Sequence, residues 1–370
     1  MATRNRTVLR IQRTLRITLA WVIVALLAAL FESNVLQQRG LPNELGGLIE
    51  AHTIRAAVLG IIGGGLYMFI LRPRLRRLAF LPAFSIMTLL VLGTIVLTDA
   101  VFPLAMTGGF TMMGMAGHIL NLTFLGHFLF YALLLGFTMI GVRLSDQYGS
   151  GGLPMLLGRY SKPRQEQRIF MFFDMRSSTR IAEELGHERY FNLLNDVYAD
   201  ITDPVIDTRG EIYQYVGDEV SVTWRVRRGV KDQRCLECFF RIREKLQQRA
   251  THYMTAYGLV PEFKAGLHCG PVTAGEVGLV KKEPIFSGDA VNTAARIQNS
   301  CNRLGVDVLV SKDLLDLLRL PEDRFTRRPM GEIALRGKKN PVGLWTVDRA
   351  QGSVKSQVPS IKLQRNALET

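Results

Sequence analysis

The sequence predicts a protein in two parts, an α-helical membrane domain with four spans followed by an α+β domain. Two observations predict this division. Long apolar stretches recur up to residue 142 of the 370-residue chain. From residue 168 onward, short apolar strands alternate with amphipathic helices. The composition agrees with a membrane-embedded part, because 48% of the residues are hydrophobic.

Four apolar stretches approach the roughly 20 residues that an α-helix needs to cross a bilayer. They cover residues 17–31, 56–71, 79–97 and 119–142. The first run is too long for a secretory signal peptide, and further stretches follow it. We therefore expect a four-helix transmembrane domain over residues 1–143, embedded in a lipid bilayer.

Arginine placement orients these spans, because cytoplasmic loops carry an excess of Lys and Arg. Arginines cluster before the first span and between the second and third, whereas the loop between the third and fourth has neither Lys nor Arg. The clusters are Arg4, Arg6, Arg10, Arg13 and Arg16, then Arg72, Arg74, Arg76 and Arg77. The pattern predicts a multi-pass protein of the cell membrane, with its N-terminus and soluble domain in the cytoplasm.

The chain has a formal net charge of +14. A strong positive charge is typical of proteins that bind nucleic acids. Much of this charge lies in the arginine clusters beside the spans, where it specifies topology. No nucleic-acid partner is therefore expected. The Cys235-x-x-Cys238 pair lies at helical spacing without a second pair at zinc-ligand distance, so we expect buried helix positions rather than a metal site.

Two segments lack the pattern of a folded element. Residues 144–167 are rich in Gly, Ser, Pro and charged residues, which is typical of a linker. Residues 349–370 are polar and basic and are predicted to form a disordered tail. The soluble domain is accordingly predicted over residues 168–348.

The soluble domain begins with the apolar strand "RIFMFF", followed by a long helix that Ser177 or Ser178 can cap. A β-hairpin follows in "EIYQYVGDEVSVTW", where two alternating runs flank a Gly217-Asp218 turn. A second helix and further strands come next. Strands alternating with helices around a direct hairpin predict an α+β sandwich with a ferredoxin-like βαββαβ core.

Asp174 and Asp218 are the candidate metal ligands. Asp174 ends the first strand and Asp218 lies in the hairpin turn, so a central sheet can place them side by side. Two carboxylates favour Mg²⁺ or Mn²⁺, ions that also recruit substrate phosphates. The segment after Asp174 runs into a helix N-terminus, whose free N–H groups favour phosphate binding. Its residues are Met175, Arg176, Ser177, Ser178 and Thr179. Carboxylates beside such a segment indicate phosphoryl-transfer chemistry.

The soluble domain resembles the catalytic domain of class III nucleotidyl cyclases over about residues 168 to 348. Four motifs carry the resemblance: "FFDMRSST" and "YVGDEV", which resemble the metal motifs, "GDAVNTAARI", and "LRGKK". In the third motif, Asn292 and Arg296 would serve the transition state. In the fourth, Arg336 takes the place of a phosphate-binding lysine. Asn292 and Arg296 are four residues apart and therefore share one face of a helix.

The resemblance implies a head-to-tail homodimer through the catalytic domain, with two Mg²⁺ or Mn²⁺ ions in each active site. One chain would supply Asp174 and Asp218 to a site, and the other chain would supply Asn292 and Arg296. The implied reaction converts ATP into 3′,5′-cyclic AMP and pyrophosphate. The ribose 3′-hydroxyl attacks the α-phosphate, which is an in-line displacement between two metal ions.

The base-reading positions depart from the family. Adenylate cyclases of this family often carry Lys and Asp where this chain has Gln214 and Ile285. The guanylate cyclase pattern is absent as well. Because the Gln amide both donates and accepts, it can pair with adenine or guanine. We expect ATP as the substrate, with weakened base selectivity.

Two alternative functions remain open. A guanylate cyclase would make cyclic GMP from GTP, which the amide of Gln214 also permits. A catalytically inactive receptor or scaffold would keep the fold and the dimer without turnover. The presence of both metal-motif aspartates, of Asn292 and of Arg296 favours an active enzyme.

Overall fold

The computed structural model describes residues 2–41, 44–71, 80–97, 122–147, 162–278, 283–335, 338 and 340–350. The chain divides into two compact units, Met1–Leu153 and Pro154–Thr370. The predicted domain boundaries stay predictions. The first strand of the second unit begins at Arg164, inside the segment predicted to be a linker.

The first unit consists of helices in the part of it that the structure describes. They are α1 (Ala2–Gln38), α2 (Leu45–Leu66, continued by a π-helical turn at Tyr67–Leu71), α3 (Phe80–Val96) and α4 (Leu122–Gln147). Three segments are long and apolar enough to cross a membrane, namely Arg10–Gln38, Leu45–Phe69 and Phe124–Arg143. The remaining predicted span holds a shorter apolar helix, Leu81–Val96, whose flanks lie outside the described residues. Four spans therefore stay a prediction.

Close helix packing joins α1 to α2. A Cβ atom on Gly60 would lie 2.8 Å from the Cα atom of Thr18, so only glycine permits this approach. Small residues at helix crossings are typical of membrane bundles, because lipid offers no hydrophobic drive for association. Trp21 of α1 donates a 2.8 Å hydrogen bond to the hydroxyl of Thr138 on α4. The bundle is thus held by packing and by internal polar contacts.

Ionisable side chains also join three of these helices. Glu32 of α1 lies 2.8 Å from the Nε2 atom of His52 on α2. Arg55 of α2 lies 3.4 Å from the Nε2 atom of His127 on α4, and the two histidine rings meet edge to face at 6.0 Å. Charged and polar groups in an apolar bundle are stable when they pair with one another, as these do.

The second unit alternates strands and helices around one eight-stranded sheet. Its elements are β1 (Arg164–Met175), α5 (Ser178–Asp207), β2 (Glu211–Val216), β3 (Glu219–Arg225), α6 (Val226–Val230), α7 (Arg234–Gln248), α8 (Ala250–Tyr257), β4 (Phe263–Val277), β5 (Glu283–Ser287), α9 (Asp289–Leu304), β6 (Val308–Ser311), α10 (Lys312–Leu318), β7 (Phe325–Ile333) and β8 (Val342–Arg349).

The sheet order β2-β3-β1-β4-β6-β8-β7, with β5 added to β4, contains the predicted core. The elements β1, α5, β2, β3, α7 and β4 occur in the order βαββαβ, with the short helices α6 and α8 before and after α7. Strand β1 lies antiparallel between β3 and β4. The predicted ferredoxin-like core is confirmed. Cys235 and Cys238 are buried in α7 as expected.

Residues 169–173 of strand β1 are apolar because both faces of the sheet are covered there. Ile169, Met171 and Phe173 pack in the core cluster that includes side chains of α5 and α7. Phe170 and Phe172 pack on the other face with two alanines of α9. Helix α9 lies directly on β4, because a Cβ atom on Gly266 would be 2.2 Å from the backbone nitrogen of Gln298. This close approach brings α9 to the end of β1.

Candidate active site

The structure brings the predicted metal ligands together at the hairpin turn. Strands β2 and β3 are joined by Gly217 and Asp218 alone, and Gly217 has a φ of +61°. The pairing of β1 with β3 sets Phe173 opposite Val220, which puts Asp174 beside the turn. Burial and the nearby Asp174 carboxylate raise the pKa of Asp218 to about 6, while a hydrogen bond from Ser178 opposes the shift. We call Asp174 and Asp218 the acidic pair.

The two carboxylates of the acidic pair differ in their partners. Asp174 Oδ2 lies 3.1 Å from the ammonium of Lys264 and accepts a 3.2 Å hydrogen bond from the side-chain amide of Gln298. Asp218 Oδ2 is buried and has no hydrogen-bond partner among the described residues. Leaving a buried acceptor unsatisfied costs about 1 to 3 kcal/mol, so such an atom marks a place where a further group can bind.

The acidic pair fits a divalent cation. Its oxygens are hard ligands, and one of them is buried without a partner among the described residues. Burial and the nearby Asp174 carboxylate raise the pKa of Asp218 by disfavouring its negative charge, which a bound cation would stabilise. Among the described residues, no group of three or more His, Cys, Asp or Glu side chains is arranged to hold a metal ion. Two carboxylates supplemented by substrate phosphates are the coordination that Mg²⁺ commonly has in phosphate-transferring enzymes.

The segment predicted to bind phosphate is only partly available. The side chain of Met175 is buried in the core. Arg176 turns away, because its guanidinium lies 2.7 Å from Asp307 and 2.8 Å from the carbonyl of Val306, and its N–H donates to the carbonyl of Glu262. The first N–H groups of α5, at Ser178 and Thr179, have no intrahelical partner. Phosphate binding by this segment stays a prediction, for which the N–H groups of Ser178 and Thr179 are available.

Helix α9 presents two different faces. Gln298 is fully buried and points to Asp174, whereas Asn292 is exposed and Arg296 is half-buried. Arg296 precedes Gln298 by two positions, which is about 200° around the helix axis. Asn292 and Arg296 therefore lie away from the face that meets the acidic pair of the same chain. The structure thus places Asp174 and Asp218 together, and it places Asn292 and Arg296 on a face of α9 different from that of Gln298.

The structure brings the strands that carry the two predicted base-reading positions into contact. Tyr213 of β2 accepts a 3.3 Å hydrogen bond from the N–H of Phe286 on β5, and their ring centroids are 5.1 Å apart. Gln214 and Ile285 are the chain neighbours of this pair. The side chain of Gln214 is exposed at an irregularity in the β2–β3 pairing, and Ile285 is half-buried opposite Gly275.

Arg336 lies outside the described residues. Its neighbour Lys338 forms a 2.9 Å ion pair with Asp289, the first residue of α9, and lowers the pKa of that carboxyl. A polar cavity of about 500 Å³ lies beside this ion pair and is also lined by Lys312, Asp313 and Glu332. The β7–β8 connection is thereby anchored to the N-terminus of the helix that carries Asn292 and Arg296.

The sequence patterns did not predict a role in the site for Lys264 or Gln298. A signal for each exists in the sequence. Lys264 interrupts the apolar run of a central strand, and Gln298 occupies the core side of α9 together with Ala294, Ile297 and Cys301. A polar residue at a core position requires a buried partner. Which partner it has depends on strand register and helix placement.

This chain is similar to proteins of one enzyme family. Residues 160–348 match the model of the family described as the adenylate and guanylate cyclase catalytic domain. Adenylate cyclase 2 of Rhizobium meliloti is 41% identical over 187 residues, which cover 50% of this chain and 51% of that protein. A receptor-type guanylate cyclase of Caenorhabditis elegans is 29% identical over 195 residues, covering 51% of this chain and 17% of that protein.

Among solved structures, a bacterial light-regulated adenylyl cyclase aligns with a TM-score of 0.51 at 20% identity. The alignment covers 59% of this chain and 64% of that chain, and at this identity it shows a shared fold alone. The chain spans about half the length of the Rhizobium protein, 51%, and 17% of the length of the Caenorhabditis elegans protein.

Proposed function

This chain belongs to the adenylate and guanylate cyclase catalytic domain family, and we propose on that premise that it is a membrane-anchored adenylate cyclase. It would convert ATP into 3′,5′-cyclic AMP and pyrophosphate. The single observation that carries the proposal is the acidic pair beside the N-terminus of α5, with Asp218 Oδ2 buried and without a partner among the described residues. The 41% identity to a protein named an adenylate cyclase supports ATP as the substrate.

Asp174 and Asp218 would hold two Mg²⁺ or Mn²⁺ ions. When bound, such ions supply charge that activates the ribose 3′-hydroxyl and stabilises the leaving pyrophosphate. The N–H groups of Ser178 and Thr179 would bind phosphate oxygens at the positive end of the α5 dipole. Arg336, on the β7–β8 connection, would bind phosphate as well.

We further propose that the enzyme is a homodimer whose two active sites lie between catalytic units. Arg296 of one chain would neutralise charge that builds up on the α-phosphate, and Asn292 of that chain would orient the ribose. The acidic pair of the other chain would complete the same site. The support is geometric, because α9 turns Gln298 toward Asp174 of its own chain and carries Asn292 and Arg296 on a different face.

Gln214 and Ile285 are proposed to face the base. Turnover of ATP and of GTP by the full-length protein in Mn²⁺ tests this, and ATP should be the better substrate. Lysine at position 214 donates only, so it suits N1 of adenine and opposes the N1–H of guanine. The Gln214→Lys variant should therefore raise the ATP-to-GTP ratio of kcat/KM about tenfold, because one mispaired buried polar group costs about 1 to 3 kcal/mol.

Gln247→Lys, an exposed change on α7, is the matched control and should leave that ratio unchanged. Faster turnover of GTP than of ATP by the unaltered protein would instead favour the guanylate cyclase alternative. Binding of both nucleotides without any cyclic product would favour the inactive scaffold.

The membrane part is proposed to have four spans in the cell membrane, with both the N-terminus and the catalytic unit in the cytoplasm. Three helices of sufficient length and the arginine clusters support this. Alkaline phosphatase, which is active only outside the cytoplasm, should be active when fused after residue 40 or 108 and inactive after residue 75 or 145. Activity after residue 75 would contradict the proposed topology.

A further inference from the structure

Lys264 is a buried cation within the active site. It lies in the central strand β4 directly opposite Asp174 of β1, and the residue is 8% exposed. Its ammonium lies 3.1 Å from Asp174 Oδ2. A buried ammonium is stable when an anion compensates it, and this pairing provides that anion. Removing one partner therefore changes the electrostatics of the other.

The same oxygen has a second donor. Gln298 donates its side-chain amide to Asp174 Oδ2 at 3.2 Å, so Asp174 is held from β4 and from α9. Asp218 receives no such compensation at its buried Oδ2 within the described part of the chain. The carboxylate of Asp174 is thus in direct contact with a positive charge. Compensation of the negative charge of Asp218 depends on a bound cation.

Lys264 also acts on the carboxyl group of Glu219, which lies beside the acidic pair. Glu219, next to Asp218, has a pKa raised by burial and by both aspartates and lowered by Lys264. An incoming divalent cation would therefore meet a positive charge beside Asp174. Like charges at a few ångströms repel strongly in a site that is partly shielded from water.

We propose that Lys264 is a positioning residue that makes binding of the divalent cation depend on bound nucleotide. The inference rests on the proposed function, in which the acidic pair holds the cations. Without nucleotide, the ammonium of Lys264 partly neutralises Asp174 and weakens cation binding. The triphosphate brings negative charge that offsets Lys264, so cation and nucleotide strengthen each other's binding by the same factor.

The test measures Mn²⁺ binding to the full-length protein in nanodiscs, by electron paramagnetic resonance of free Mn²⁺. The Kd is determined without nucleotide and with 3′-deoxy-ATP, which lacks the attacking hydroxyl. Lys264→Met keeps the apolar stem and removes the charge. It should tighten the nucleotide-free Kd about 10- to 100-fold, because it removes a like charge that lies a few ångströms from the incoming cation. The ratio of the two Kd values should fall accordingly.

Three further variants complete the experiment, two as controls and one as a second test of the charge. Lys264→Arg keeps the charge and should keep the nucleotide-free Kd of the unaltered protein. Lys264→Gln keeps a donor for Asp174 and should tighten the Kd as Lys264→Met does, which covers the case that Lys264→Met fails to fold. Arg234→Met removes a different ion pair of the same unit, the one with Asp232, and should leave the nucleotide-free Kd unchanged.

A Kd that stays the same or weakens in folded Lys264→Met and Lys264→Gln would overturn the inference, because a merely structural lysine cannot tighten the site when removed. Asp218→Asn separates this failure from failure of the proposed function. If Asp218→Asn abolishes Mn²⁺ binding while the Lys264 variants bind as the unaltered protein does, only the role of Lys264 is wrong. If Asp218→Asn binds Mn²⁺ normally, the acidic pair does not hold the cation and both proposals fall.

Discussion

Replacing Asp218 by asparagine should lower the kcat for cyclic AMP formation at least about 1,000-fold, while the metal-free protein becomes more stable at pH 7.5. The loss of activity follows from the loss of a charged metal ligand, whose electrostatic contribution of several kcal/mol corresponds to such a factor. Asparagine keeps the shape of the side chain. The stability gain follows from removing a carboxylate whose charge the fold disfavours.

The direction of the pH dependence is set by the raised pKa of Asp218, about 6 in the folded protein. The unfolded chain has the ordinary lower value, so the folded state holds the proton more tightly. Stability from this group is fully present below the unfolded pKa and is lost as pH rises through about 6. Because the carboxyl is only half-buried, the destabilisation above that pH should be about 1 to 2 kcal/mol.

Pulse proteolysis in urea of the full-length protein in detergent with EDTA measures this effect. The free energy of unfolding of Asp218→Asn should exceed that of the unaltered protein at pH 7.5 and equal it near pH 4. Added Mn²⁺ should reverse the order, because it binds only the protein with the intact acidic pair. Asp316→Asn, an exposed change on α10, should alter neither stability nor activity. Full activity of Asp218→Asn would contradict the metal assignment.

The elements that the sequence predicted correctly depend on local signals. The apolar run of β1, the Gly217-Asp218 turn and the helices around them define the βαββαβ order, and that order places the acidic pair. The start of β1 at Arg164 has no such signal. Residues 164–167 are polar, and they are part of the strand because they pair with residues 271–274 of β4.

The side-chain partners within the site depend on contacts distant in sequence. The N–H of Arg176 was predicted to be free for phosphate, but it donates to the carbonyl of Glu262, and the guanidinium pairs with Asp307, 131 residues away. Lys264 and Asp174 meet because of the β1–β4 register, and Gln298 joins them because glycine at position 266 lets α9 approach the sheet. Local patterns thus predict which residues carry the chemistry. The packing of α9 on the sheet decides how they are held.

Mixing two inactive variants should restore activity, because the proposed active site draws on two chains. An Asp174→Asn homodimer lacks a metal ligand in both sites, and an Arg296→Ala homodimer lacks the transition-state arginine in both. Each should lose at least about 100-fold in kcat, the scale of removing one preorganised electrostatic group. A heterodimer combines one intact site with one doubly defective site.

Co-expression of the two variants in equal amounts should therefore give about a quarter of the unaltered activity, since half of randomly formed dimers are heterodimers with one working site each. Different affinity tags on the two chains allow the heterodimer to be isolated, and its cyclic AMP production should be half that of the unaltered dimer.

The matched control mixes Asp174→Asn with Asp218→Asn. Both changes fall in the same half-site, so no arrangement of these chains contains an intact acidic pair, and activity should stay absent. Absence of rescue in the first mixture would mean that α9 does not serve the active site of the neighbouring chain. Rescue in the control would mean that Asp174 and Asp218 do not act in the same half-site.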